Sequence, residues 1–197
     1  MKCDVILAGV GGQGVLSVAA IIAQAAVKEG LEVRQSEVHG MAQRGGAVLA
    51  HLRIADSTIA SDLVPRGGAD LILSMEPLES LRYAAWLSPK KPANGQPGAL
   101  VTAAEALINI PNYPDINGII KTIESFPVNR VVEAAALAKE AGLARSVNMV
   151  MVGAASAFLP IKPDTLEETI TKMFAHKDTA TVEANIKAFR AGRDAAK

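Results

Sequence analysis

Four glycines fall within positions 9–14, in the run Gly9-Val10-Gly11-Gly12-Gln13-Gly14. Gly9, Gly11 and Gly14 spell G-x-G-x-x-G. A loop of this kind lets an anionic group approach the backbone at the positive end of a helix. The pattern alone is weak; it needs a strand before it and a helix after it. Both are expected here. "CDVILAG" reads as a buried central strand, and from Gln13 the polar residues Gln13, Ser17, Gln24 and Lys28 fall in one narrow stripe of an otherwise buried helix. Gln13 lies in the first turn, where its amide can donate to a ligand or to a neighbouring loop.

A second cluster, "SEVHGMAQRGGAV" at 36–48, follows the next predicted strand. Glu37 stands 28 residues after Gly9, where a dinucleotide site would want an acid for ribose hydroxyls. It could equally cap a turn or contact a partner. Arg44 is followed by Gly45 and Gly46, so its guanidinium is free to recognise phosphate or carboxylate, or to fix the loop through an ion pair. His39 is the one candidate acid–base group, but no nucleophile or metal-ligand spacing accompanies it, and a lone loop histidine also serves as a structural hydrogen bonder. Two loops leaving neighbouring strand ends should form one surface. It comprises Gly9, Gly11, Gly12, Gln13, Gly14, Ser36, Glu37, Gly40, Arg44, Gly45 and Gly46.

The elements around these loops alternate. Residues 3–38 read as a strand–helix–strand unit with a parallel strand pair. "AVLAHLRIA", "LILSM" and "ALVTAA" read as further strands, with a short one in "STIASDLV". "EPLESLRYAAWL" reads as a helix that puts Tyr83 and Trp86 on one face. "IIKTIESFPV" reads as a strand and "NRVVEAAALAKEAG" as a helix. "SVNMVMVGAASAFL", a helix with a Thr165–Glu168 capping box, and "TATVEANIKAFRAGRDAA" complete the chain. The expectation is a three-layer α/β/α sandwich with a mixed, Rossmann-like sheet, one domain over 1–197.

Composition removes several classes. Twenty basic and twenty acidic side chains cancel, and aromatics make up 4%, so neither nucleic acid nor an anionic membrane is an expected partner. Cys3 is the only cysteine, too few for an iron–sulfur cluster or a structural zinc, and reads as a small buried residue of the first strand. No signal-peptide pattern and no uninterrupted membrane-length run is present, which points to the cytoplasm.

"GVGGQGV" followed by "SEVHGMAQRGGAV" resembles the gamma subunit or domain of 2-oxoacid:ferredoxin oxidoreductases. "HLRI", "ADLILSMEPLESLRYAAWL", "NMVMVGAASAF" and "NIKAFRAG" follow that family's order of segments, over essentially the whole chain. Pyruvate-type members usually carry G-x-E-x-R-G in the second motif. Here Ala42 stands at the acidic position, and the form is similar to the small beta subunit of the indolepyruvate branch. The resemblance implies a non-autonomous subunit. Its complex would use thiamine diphosphate, magnesium, iron–sulfur clusters and coenzyme A to decarboxylate aryl-pyruvates oxidatively and reduce ferredoxin. The large alpha subunit would hold the thiamine and the clusters, and no cofactor would be bound by this chain alone. A gamma subunit for pyruvate or another 2-oxoacid, and a freestanding NAD(P)-binding Rossmann protein, are the alternatives.

Overall fold

A computed structural model of the chain describes residues 1–39, 45–89 and 96–197. A mixed six-stranded sheet lies between two helical layers. In chain order the strands are β1 (Lys2–Val10), β2 (Glu32–His39), β3 (Ala47–Ala55), β4 (Leu71–Ser74), β5 (Ala99–Ala103) and β6 (Asn129–Val132). In space the order is β2-β3-β1-β4-β5-β6. β4, β5 and β6 extend β1 in parallel, whereas β3 is antiparallel to both β1 and β2.

β1 is apolar almost throughout because both of its faces are covered. Val5 and Leu7 enter the larger core, and Ile6 the smaller one on the opposite face. α1 (Val15–Lys28), α4 (Ala134–Glu140), α5 (Val147–Ser156), α6 (Pro163–Phe174) and α7 (Thr179–Ala195) contribute to the larger core. α2 (Pro77–Arg82), α3 (Ile116–Glu124) and the 56–68 connection cover the other face. α1 stops at Gly30, whose φ of 79° allows the Leu31 N–H to reach back to the Ala26 carbonyl. α5 and α7 cross with their backbones nearly touching: a Cβ on Gly153 would stand 1.9 Å from the Phe189 carbonyl oxygen.

Several sequence expectations fail, each for a definable reason. β1 and β2 run in the same direction but are not paired; β3 lies between them. "STIASDLV" forms no strand, because the segment crosses the sheet face, burying Ile59 and Val64. "IIKTIESFPV" belongs mostly to α3, whose Asp115 side chain accepts from the Gly118 N–H, while β6 takes the "NRVV" expected to open a helix. Isoleucine-rich runs fit either period, and Ile116, Ile119, Ile120 and Ile123 have helical spacing. α6 starts at Pro163 with Lys162 at its N-cap, so Thr165 and Glu168 form no capping box. Tyr83 and Trp86 meet edge-to-face at 5.8 Å, although the α-helix has ended at Arg82 and a 3₁₀ turn holds Trp86.

Candidate functional site

The carboxyl ends of β1, β2, β4 and β5 lie at one edge of the sheet, and β3 begins there. The glycine run turns from β1 into α1 at this edge. Gly12 and Gly14 have φ of 102° and 78°, values that other residues rarely adopt. Gly9 and Gly14 are also required by packing. A Cβ on Gly9 would lie 2.8 Å from the Val15 side chain, and one on Gly14 would lie 2.2 Å from the Asn148 amide. By contrast, Gly12 is exposed and a Cβ there would meet open space.

Gln13 turns inward. Its Oε1 accepts from the Val10 N–H at 2.8 Å and its Nε2 donates to the Met75 carbonyl at 3.0 Å. The amide therefore bridges β1 to the end of β4, the point where connections switch from one face of the sheet to the other. Of the two roles open to Gln13 in the sequence, the structure shows contact with a neighbouring loop.

The two glycine loops do meet. The Gly11 N–H donates to the Gly46 carbonyl at 2.8 Å, and the Gly45 N–H to the Gly11 carbonyl at 3.3 Å. Ser36 pairs across from His51 on β3, and Glu37 is exposed, within 3.5 Å of the Gln35 amide. The side chain of His39, together with Gly40 and Arg44, lies outside the described residues. Because β3 separates β2 from β1, Glu37 sits two strand spacings, roughly 10 Å, from the strand that carries the glycine run. A ribose-binding acid belongs on the strand beside it, so this arrangement does not match a dinucleotide site.

Two site residues went unread in the sequence. Glu76 is buried at the end of β4 and caps α2; its Oε2 accepts from the Glu79 N–H at 2.8 Å. Its Oε1 accepts from the Tyr113 hydroxyl. Burial first, then the hydrogen bond to Glu76 and that group's charge, push the Tyr113 phenol far above its ordinary value, so it stays a neutral donor. An acid directly before Pro77, at the end of an apolar strand, was the available signal for Glu76. Neighbouring Glu79 is buried too and is held by both nitrogens of a fork from Arg82, at 2.9 and 3.2 Å.

Nothing here collects a metal: among the described residues no three His, Cys, Asp or Glu side chains converge. Cys3 is buried, with its Sγ 3.9 Å from the Phe158 carbonyl oxygen. Among the described residues no helix is long and apolar enough to cross a membrane.

Residues 4–195 match the pyruvate ferredoxin/flavodoxin oxidoreductase family. The chain is 36% identical to indolepyruvate oxidoreductase subunit IorB of Archaeoglobus fulgidus, over 98% of its own length and 94% of that protein. It is 37% identical to the IorB of Pyrococcus horikoshii, over 98% and 96%. Ketoisovalerate oxidoreductase subunit VorA of Methanothermobacter marburgensis is 26% identical over 95% of this chain, which spans only 35% of that longer protein. Among solved structures, the keto/oxoacid ferredoxin oxidoreductase gamma subunit of Geobacter sulfurreducens shares the fold with a TM-score of 0.71 at 22% identity, covering 100% of this chain and 97% of that one.

Proposed function

The chain belongs to the pyruvate ferredoxin/flavodoxin oxidoreductase family, and from that premise we propose that it is the small subunit of an indolepyruvate-type 2-oxoacid:ferredoxin oxidoreductase. The coarser part of this reading, a small or gamma-type subunit of a 2-oxoacid:ferredoxin oxidoreductase complex, follows from full-length similarity to proteins of that kind. The aryl-pyruvate specificity is the proposal. What supports it is the second motif, in which Ala42 replaces the acid of pyruvate-type chains, together with 36–37% identity to two IorB proteins.

In this reading the joined glycine loops complete a centre that belongs mostly to the large subunit. The loop interior is already committed: Gln13 is spent on Val10 and Met75, and Gly9 and Gly14 on packing. What remains outward is the backbone of Gly12, the first turn of α1, and the edge carrying Ser36, Glu37, Gly45 and Gly46; His39, Gly40 and Arg44 of the second motif are proposed, from the sequence alone, to serve the same centre. The first turn of α1 has neither a side-chain cap nor an acidic residue, so the positive end of the helix favours an anionic group of the substrate complex or of the partner. One cysteine, buried in β1, cannot hold an iron–sulfur cluster, and the described residues gather no His/Cys/Asp/Glu set for the clusters or for the magnesium of thiamine diphosphate. Thiamine diphosphate, magnesium and the clusters are assigned to the large subunit, and coenzyme A and ferredoxin act through the complex. The protein then works in the cytoplasm.

Reconstitution tests the reading. This chain and the large subunit of the same source are assayed separately and mixed, for coenzyme A-dependent viologen reduction with indolepyruvate, pyruvate and 2-oxoglutarate in turn. Activity only in the mixture, greatest with indolepyruvate, is expected. Preference for pyruvate or 2-oxoglutarate would move the chain to another branch. An inactive mixture with tight NAD(P) binding by this chain alone would overturn the assignment.

A further inference from the structure

Between β5 and α3 the chain runs through residues 104–115 without strand or helix, yet side chains tie it down at four points. Glu105 Oε1 accepts from the Ala135 N–H at 2.6 Å, at the start of α4. Asn109 Nδ2 donates to the Gly45 carbonyl at 2.7 Å, which fastens the segment to the second glycine loop. The Tyr113 hydroxyl donates to buried Glu76. Asp115 caps α3 through the Gly118 N–H at 2.9 Å. Pro111 and Pro114 restrict it further.

What this scaffolding holds outward is apolar. Leu107 is 40% exposed, Ile108 75% and Ile110 37%. Three large apolar side chains within four positions, on a segment that is fixed in place, leave a substantial apolar surface open to water, Ile108 most of all. They fit a surface shaped in advance for a partner. Elsewhere the exposed large apolar side chains, Met1, Val27, Val38 and Leu63, stand singly, and the helical layer pairs Lys28 with Glu168 and Arg190 with Glu167 while the far sheet edge pairs the N-terminus with Asp56. Beside the segment, an open recess of about 620 Å³ lies between α3 and the end of β6, lined by Ala104, Ile116, Ile120, Lys121 and Glu133 among others.

We propose that residues 104–115 form a preformed apolar ledge that docks against an uncharged, apolar face of the large subunit, carrying the joined glycine loops into place. This rests on the subunit reading above. Two observations select that occupant over others. The ledge is bonded directly to the glycine loop at Gly45, so a partner reaching those loops must also meet Ile108 and Ile110. In addition, the VorA relative matches nearly all of this chain within about a third of its own length, so there the same unit is continuous with further oxidoreductase polypeptide.

The test measures the affinity of full-length variants for the purified large subunit. Ile108→Asp should weaken binding at least tenfold, and Leu107→Asp combined with it at least a hundredfold, with unchanged thermal unfolding. Ile108→Leu should bind as wild type. Tyr113→Phe, which keeps every ledge contact but frees one anchor, should weaken binding about threefold. Val27→Asp, at a 61%-exposed apolar position near the far end of α1, is the control and should change nothing. Wild-type affinity for Ile108→Asp overturns the ledge while leaving the subunit reading intact. A wild-type homodimer that Ile108→Asp splits, with large-subunit binding unaltered, overturns it in favour of a second copy. No binding by the wild-type chain sinks the subunit reading and the ledge with it.

Discussion

At the edge of the sheet where β1 and β4 begin, charge is paired inside the protein. At the edge where they finish, backbone and apolar side chains face outward. The first edge buries Asp4 completely, with Arg53 Nε at 2.8 Å and Lys2 Nζ at 2.7 Å, while the Asp4 N–H donates to Asp70. The second edge uses its polar side chains on its own backbone: Gln13 on β1 and β4, Glu76 on α2, Asn109 on the second loop. Among the described residues no buried side-chain nitrogen or oxygen lacks a partner at either edge; Met1 and Leu63 are exposed near the first, whereas Leu107, Ile108 and Ile110 cluster on one anchored segment at the second, beside the exposed Gly12. Clustering on an anchored segment, rather than exposure as such, separates the edge proposed to meet the large subunit from the edge that pairs its charge internally.

Breaking the first edge should produce the largest effect. Asp4→Ala leaves the Arg53 guanidinium, whose side chain is only 14% exposed, without its counter-ion, with only the Ser61 and Leu63 carbonyls still accepting from it. Loss of one partner from such a buried pair costs about 3 kcal/mol or more. Urea denaturation should show that loss, while the folded fraction should bind the large subunit with wild-type affinity. A parallel loss of binding would show that this edge is also an interface.

Gln13→Ala comes next. It leaves the Val10 N–H and the Met75 carbonyl without their partner, a cost of about 2 kcal/mol. Unlike Asp4→Ala, it should also loosen the Gly11–Gly46 pairing, so amide exchange at Gly11 and Gly45 should quicken and complex activity should fall. Unchanged exchange there would mean that the second loop is held independently of the first.

Gly12→Ala is milder. Its φ of 102° penalises any side chain by about 1 kcal/mol, yet a Cβ meets nothing. Stability should drop by that amount. If the loop faces the large subunit, binding should drop more than stability does, and comparison of the two losses separates a contact surface from a mere turn.

Much of this was legible in the residues. The glycine spacing, the strand before it and the helix after it all appear where expected, and the meeting of the two glycine loops followed from placing both at strand ends. The strand order was not legible. Local pattern says that β2 is a strand, not that β3 inserts beside β1, and this non-local pairing is what moves Glu37 away from the glycine run. Glu76 and Tyr113 were missed for a related reason. They are 37 positions apart, and neither is unusual alone; only the turn of residues 104–115 back over the sheet edge unites them. Gln13 marks the middle case: its position was readable, its inward direction was not.

The smallest predicted effect lies between the two edges, at His51. Its side chain is buried in mid-β3, and its Nδ1 accepts from the Val64 N–H at 3.2 Å. Burial lowers its pKa below the ordinary 6.5, and the nearby charge of Asp62 offsets part of that. The folded protein therefore takes up this proton less readily than the unfolded chain. The contribution of neutral His51 to stability is complete above about pH 6.5 and is lost as pH falls through the folded-state value. Protonation would also place a hydrogen on Nδ1, opposing the Val64 N–H and loosening the 56–68 cover on that face. In His51→Asn, Oδ1 can accept the same hydrogen bond without titrating. Wild type should thus lose stability relative to the variant between pH 7 and pH 5, measured by urea midpoints at each pH. A constant difference across that range would mean that His51 carries its proton equally in both states. Large-subunit binding at pH 7 should match wild type, because the residue serves the cover of the sheet rather than the outward edge.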